Sequence, residues 1–142
     1  MEEAFNVGTE VIDRSASVDW CQGVAQRYRA LTSHTKRTIN ADLSADMFNA
    51  IWQLRKRGIK TRAIAEMFGC KASYASWFLT ISRLLIPEVR ALIDSKIPPE
   101  ERLSVSDGNI VKDLSESRQM QGAMNLINDR ERKKSKQQNK SA

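Results

Sequence analysis

Apolar residues recur at helical spacing along most of the chain. Trp20, Val24, Tyr28 and Leu31 repeat every three or four residues after Val18, and Asp19 stands where it can cap that helix. Met47, Phe48, Ile51, Trp52 and Leu54 form a second stripe, with Ser44 as the expected cap and Gly58 as the stop. Thr61 is placed to cap a short third helix that ends at Phe68, before Gly69. A fourth is expected from Lys71 or Ala72 to about Leu85. Pro87 closes that pattern and opens a helix from Glu88 to Ser95, with Val89, Leu92 and Ile93 inward. Pro98 and Pro99 mark a break. Ser106 is then expected to cap a helix to Leu114, and Ser115 another from Glu116 to about Arg130. Met120, Met124 and Ile127 form the predicted stripe of that last helix, with Ala123 and Leu126 beside it. Residues 1–17 lack a period and read as loose, and the polar stretch 32–43 reads as a linker.

This pattern predicts an all-α fold, a multi-helix bundle. Three parts are expected: an N-terminal segment 1–43 with one helix and a polar linker, a folded domain 44–128, and a disordered tail 129–142 that is poor in apolar residues. The length of 142 residues suits one domain with tails. Six Gly and three Pro are too few for an all-β chain of many tight turns.

Several chemistries are set aside on composition. No apolar run approaches 18 residues, so no membrane partner is expected. The acidic start Met1-Glu2-Glu3-Ala4-Phe5 does not read as a secretion signal. Cys21 and Cys70 lie far apart and form no CxxC, which fits reduced thiols in the cytoplasm. His34 is the single histidine, whereas a zinc site needs four ligands. The glycines are scattered at 8, 23, 58, 69, 108 and 122 and form no phosphate loop. Asp107, Asp113 and Glu116 read as a solvated acidic face, and Cys21 near Arg27 has no His or Asn partner that would make it a nucleophile. No catalytic residue, metal or cofactor is expected, and so no enzyme.

Charge changes the picture. The chain carries a net +6, but residues 55–90 alone carry +6 and residues 129–142 carry +4, on a mildly acidic background. Two basic patches of that kind point to an anionic partner. The first coincides with a motif. Between 61 and 80, Ala65 is small where two helices would cross, and Gly69 follows four residues later where a tight turn needs a left-handed backbone. Ile64, Phe68, Cys70, Ala75 and Phe78 fall on the inward positions of a helix-turn-helix. An ordinary αα-corner shares this spacing; the basic surroundings favour double-stranded DNA as the partner.

The second helix of such a motif offers its N-terminal residues to base edges. Its outward positions here are Lys71, Ala72, Ser73, Ser76, Trp77 and Thr80. Lys71 suits guanine acceptors or a phosphate, the serines suit donors or acceptors, and Ala72 and the Thr80 methyl suit a thymine methyl. Trp77 reads two ways, as a contact to a sugar or thymine or as a packed residue. Thr61, Arg62 and Arg83 suit phosphate. Tyr74, Ile81 and Leu85 are assigned to the core. Arg55, Lys56, Arg57 and Lys60, with Arg132, Lys133, Lys134 and Lys136 of the tail, are candidates for non-specific phosphate contact.

The run Ile64-Ala65-Glu66-Met67-Phe68-Gly69-Cys70-Lys71-Ala72-Ser73-Tyr74-Ala75-Ser76 resembles the helix-turn-helix core of the ParB/KorB family of plasmid and chromosome partition proteins. The likeness continues through Ser82-Arg83-Leu84-Leu85-Ile86-Pro87-Glu88-Val89-Arg90-Ala91-Leu92-Ile93-Asp94-Ser95, and residues 44–128, some 60% of the chain, are covered. The resemblance implies a homodimer on a palindromic or repeated plasmid site, for partition or repression, at the nucleoid or plasmid. Of the family's nucleotide-binding domain only Gln26-Arg27-Tyr28-Arg29-Ala30 is echoed, so the DNA module alone is expected, without CTP or ATP hydrolysis. Two other readings remain: a protein-interaction adaptor, and an accessory subunit that positions a nuclease or relaxase on DNA. The N-terminal helix is kept as a surface for a protein partner.

Overall fold

A computed structural model of the chain describes the backbone at residues 5–7, 10–12, 18–34 and 39–141, and side chains at 18–32 and 39–130. Two short strands, β1 (Phe5–Val7) and β2 (Glu10–Ile12), precede seven helices among the described residues: α1 (Val18–His34), α2 (Ala41–Lys56), α3 (Thr61–Phe68), α4 (Ala72–Leu84), α5 (Pro87–Arg90), α6 (Val105–Val111) and α7 (Glu116–Ser141). The expected all-α bundle is present. The strands are a correction to the loose segment read over 1–17. They pair antiparallel with Phe5 opposite Ile12 and Val7 opposite Glu10, and Phe, Val and Ile are strong strand formers.

Helix α2 lies at the centre and packs against α1, α3, α4 and α6. Met47, Phe48, Ile51 and Leu54 of α2 are fully buried and meet Ile64 and Phe68 of α3 and Phe78 and Ile81 of α4 in one core. Cys21, Val24 and Ala25 of α1 close it from the other side.

Local hydrogen bonds move several boundaries. Helix α2 begins at Ala41 rather than after Ser44, because the Asn40 side chain accepts from Leu43 N–H at 2.8 Å. Ser104, not Ser106, caps α6; its hydroxyl accepts from Asp107 N–H at 3.0 Å. Lys60 stands at the N-cap of α3 with no side-chain bond, and Thr61 is the first helical residue. The helix expected over Glu88–Ser95 stops at Arg90. Its next carbonyls are taken from outside: Leu103 N–H bonds Leu92 O at 2.9 Å, and the Asn49 amide bonds Ile93 O at 2.8 Å. Lys96 N–H, which would continue the helix, turns to the Asp94 carboxylate at 2.9 Å.

The tail is also corrected. Residues 129–141 were expected to be disordered, but α7 continues to Ser141. Arg, Lys, Gln and Glu are good helix formers, and no Pro or Gly follows Gly122 to stop propagation.

The stripe on α7 is a third correction. Ala123 and Ile127 are buried as expected, but Met120 and Met124 are 37% and 39% exposed, and the third inward position belongs to Gln119. That side chain is buried because its amide is fully used: it donates to Leu84 O at 2.9 Å and Leu114 O at 3.3 Å, and accepts from Ile86 N–H at 2.8 Å. It thereby satisfies backbone groups left open where α4 ends and Pro87 starts α5. No described helix is long and apolar enough to cross a membrane.

Candidate nucleic-acid interface

The corner between α3 and α4 is built by backbone geometry around one glycine. Gly69 is left-handed, with φ 67° and ψ 36°. Cys70 N–H bonds Ala65 O at 3.0 Å and Gly69 N–H bonds Glu66 O at 3.1 Å, the paired bonds of a Schellman turn. Helix α1 seals this turn. The Arg29 guanidinium donates to Met67 O, and its aliphatic stem would lie 3.2 Å from a Cβ at Gly69. Gly69 is therefore favoured by its left-handed conformation, and a Cβ there would also push the Arg29 stem aside. Ala65 is 4% exposed and Ala75 fully buried, so both helices keep small residues at the corner while Phe68 and Phe78 fill the space behind.

Helix α4 presents one face to solvent. Ala72, Ser73, Ser76 and Arg83 are exposed and Thr80 is half-buried. Trp77, read two ways from the sequence, is 36% exposed. Its ring stacks on Tyr74 with centroids 6.3 Å apart and planes 7° apart, and meets Phe78 edge-on at 5.1 Å. The indole thus packs on two neighbouring rings at the surface and is not a core residue. It lines two open depressions. One also includes Tyr28, Cys70, Lys71 and Ser73, and the other Asn40, Pro99, Leu103 and Ser106. Ile81 and Leu85 are core as expected, whereas Tyr74 is only half-buried, between Tyr28 at 6.2 Å and Phe78 at 5.1 Å. Burial raises the phenols of Tyr28 and Tyr74 above their ordinary pKa, so both stay neutral hydrogen-bonding groups at physiological pH.

The cations divide. Arg55, Arg57, Lys60, Arg62 and Lys71 are exposed at the end of α2, around α3 and before α4, and Thr61 beside them is half-buried. Lys56 instead lies over the Trp52 ring at 5.3 Å. Arg90, part of the same basic stretch, has a structural role. Its guanidinium sits 4.8 Å from the Trp52 centroid, and its Nε donates to Ser82 O at 3.0 Å near the end of α4. Arg132, Lys133, Lys134 and Lys136 belong to α7, but their side chains lie outside the described residues.

Sequence reasoning missed Tyr28 and Arg29 as parts of the corner; their signal was the Arg27-Tyr28-Arg29 run, assigned elsewhere. Arg27 pairs with Asp46 at 2.9 Å, and Asp46 also accepts from Ser95 Oγ at 2.7 Å, so this arginine ties α1 to α2. Cys21 is fully buried and burial pushes its thiol up to about 11, the opposite of a nucleophile's environment. Among the described residues no three His, Cys, Asp or Glu side chains gather as metal ligands.

Comparison with family models, with curated proteins and with solved structures finds no match to this chain. The likeness to the ParB/KorB family rests on the residues quoted above.

Proposed function

We propose that this chain binds duplex DNA through α3, its Schellman turn and α4, and that it acts as a plasmid or mobile-element regulator or partition factor, without catalysis. One observation carries the reading: the solvent face of α4 is nearly free of charge, while exposed cations stand on the elements around it. A helix that enters the major groove brings its outward side chains up to the base edges, and the phosphates beside the groove call for flanking Lys and Arg. Occupancy of a promoter or repeated site would be the mechanism, and a second copy of the chain would match a palindromic site.

The test is binding to duplex DNA at graded salt. With about six phosphates neutralised, affinity is expected to fall roughly 10³-fold between 50 and 200 mM salt. A flat response would remove the reading. A second reading, an adaptor that docks protein, is favoured by three exposed apolar residues, Leu84, Ile110 and Leu114, at 43%, 58% and 39% exposure. Salt-insensitive association with a protein partner would select it.

A further inference from the structure

The composition of α4 narrows what a reader built from it can recognise. Discriminating hydrogen bonds in the major groove come chiefly from long polar side chains: Arg or Lys on guanine, Asn or Gln on adenine, Asp or Glu on cytosine. The thirteen residues of α4 contain no Lys, Asn, Gln, Asp or Glu, and one Arg. That Arg83 lies eleven residues beyond Ala72, about 16 Å along the axis, in the last turn of α4. Lys71 stands exposed before the helix in extended backbone, at φ −72° and ψ 148°, and lines the same depression as Ser73 and Trp77. Ser73 and Ser76 offer hydroxyls, which pair with donors and acceptors alike and so distinguish little.

The remaining outward groups are apolar: the Ala72 methyl, the Thr80 methyl and the exposed edge of Trp77. Trp77 and Thr80 are neighbours one turn apart on the same face. The indole packs on Tyr74 and Phe78, which leaves its other edge open to a partner. The thymine 5-methyl is the apolar group that bases present in the major groove.

Resting on the DNA-binding reading, we infer that this protein recognises its site chiefly through thymine 5-methyl groups, contacted by Ala72, Trp77 and Thr80, and that guanine and adenine hydrogen-bond edges contribute little. The specific site is then rich in thymine on the strand facing α4. Lys71 and Arg83 hold phosphates at the two ends of the helix.

The experiment selects duplexes from a randomised library with the full chain and resynthesises the winner in two forms. One carries uracil in place of thymine, which removes only the 5-methyl. The other carries 7-deazaguanine, which removes the N7 acceptor. Uracil is expected to weaken binding about fourfold for each contacted methyl, tenfold or more in all, from the transfer value of one buried carbon. 7-Deazaguanine is expected to leave affinity within about twofold, as is uracil in an unselected duplex. Thr80→Ser, which deletes one methyl and keeps the hydroxyl, should abolish the uracil effect at one thymine while leaving the others. Undiminished binding to the uracil duplex, or a large loss with 7-deazaguanine, would overturn the inference and leave DNA binding standing. A library that yields no enriched sequence would overturn the specific-binding reading and this inference with it.

Discussion

Two breaks between helices, one on each side of α4, are closed by different means. Between α3 and α4 the means are local. Gly69 turns left-handed, two backbone bonds to Ala65 O and Glu66 O satisfy the end of α3, and only three residues separate α3 from α4. Between α4 and α5 the chain lacks such a turn, and the open groups at Leu84 and Ile86 are satisfied by Gln119, which is 33 residues from Ile86. The first break is written mostly in adjacent residues, with Arg29 of α1 adding a bond to Met67 O. The second exists only once α7 has docked. The corner proposed to meet DNA therefore has its own local geometry, while its far end depends on the supporting half of the molecule, α5 to α7.

The sharpest way to break this comparison lies in the supporting half. A Cβ at Gly108 in α6 would stand 2.9 Å from Ile93 Cδ1 and 3.5 Å from both Ile81 Cγ2 and Leu85 Cδ1, all buried. Gly108→Val is expected to cost about 3 kcal/mol, because no neighbour can retreat from the added methyls. A fall of roughly 10 °C in thermal midpoint would report it. Gly122→Ala is the control. Its Cβ would also collide, at 2.5 Å from Leu114 Cδ1, but Leu114 is 39% exposed and can swing into solvent. That variant should stay within about 1 kcal/mol of the parent, since alanine gains about that much in helix propensity. Equal losses for the two glycines would show that packing against Ile81, Ile93 and Leu85 is not what holds α6 in place.

What was legible in the sequence follows the same division. The corner could be read because its determinants are close together: Ile64, Ala65, Phe68, Gly69, Ala75 and Phe78 take the positions that spacing assigns them. Beyond Pro87 the reading slipped. Glu88–Ser95 has helical spacing, yet Leu103 and Asn49 take the carbonyls that would extend the helix, and no local pattern announces them. On α7 the methionines look more like core than glutamine does. Gln119 goes inside because three backbone groups from two other segments wait there, a demand invisible from residues 116–130 alone. The serines at 104 and 106 are equally good caps by type; the backbone of Ser104, extended at φ −79° and ψ 160°, decides between them.

A smaller effect is expected at the corner itself. Gly69→Ala forces a Cβ into a left-handed residue, at about 1–2 kcal/mol, and pushes it toward the stem of Arg29 at 3.2 Å. The exposed Arg29 side chain can yield, so the strain should stay near the backbone figure and below that of Gly108→Val. Chemical denaturation would read the difference through a shift in midpoint at constant slope. A loss as large as that of Gly108→Val would mean that the corner is not locally determined, and the contrast between the two breaks would fail.

The smallest expected change in stability separates folding from recognition. Ser76 in the middle of α4 and Ser117 in the first turn of α7 are both exposed serines on helices. Ser→Glu at either position should leave stability within about 0.5 kcal/mol, because glutamate is at least as good a helix former and the carboxylate stays in water. At Ser117 the negative charge even complements the helix N-terminus. The two variants should nevertheless part company on DNA. A carboxylate at 76 would enter the groove between two rows of phosphates on the outward face of α4, and binding should fall tenfold or more at every salt concentration. The same charge at 117 sits on the supporting half and should leave affinity within about twofold, once the salt-dependent term is matched. Measured by titration of one labelled duplex with both variants, equal affinities would show that α4 does not face the DNA, however well the corner folds.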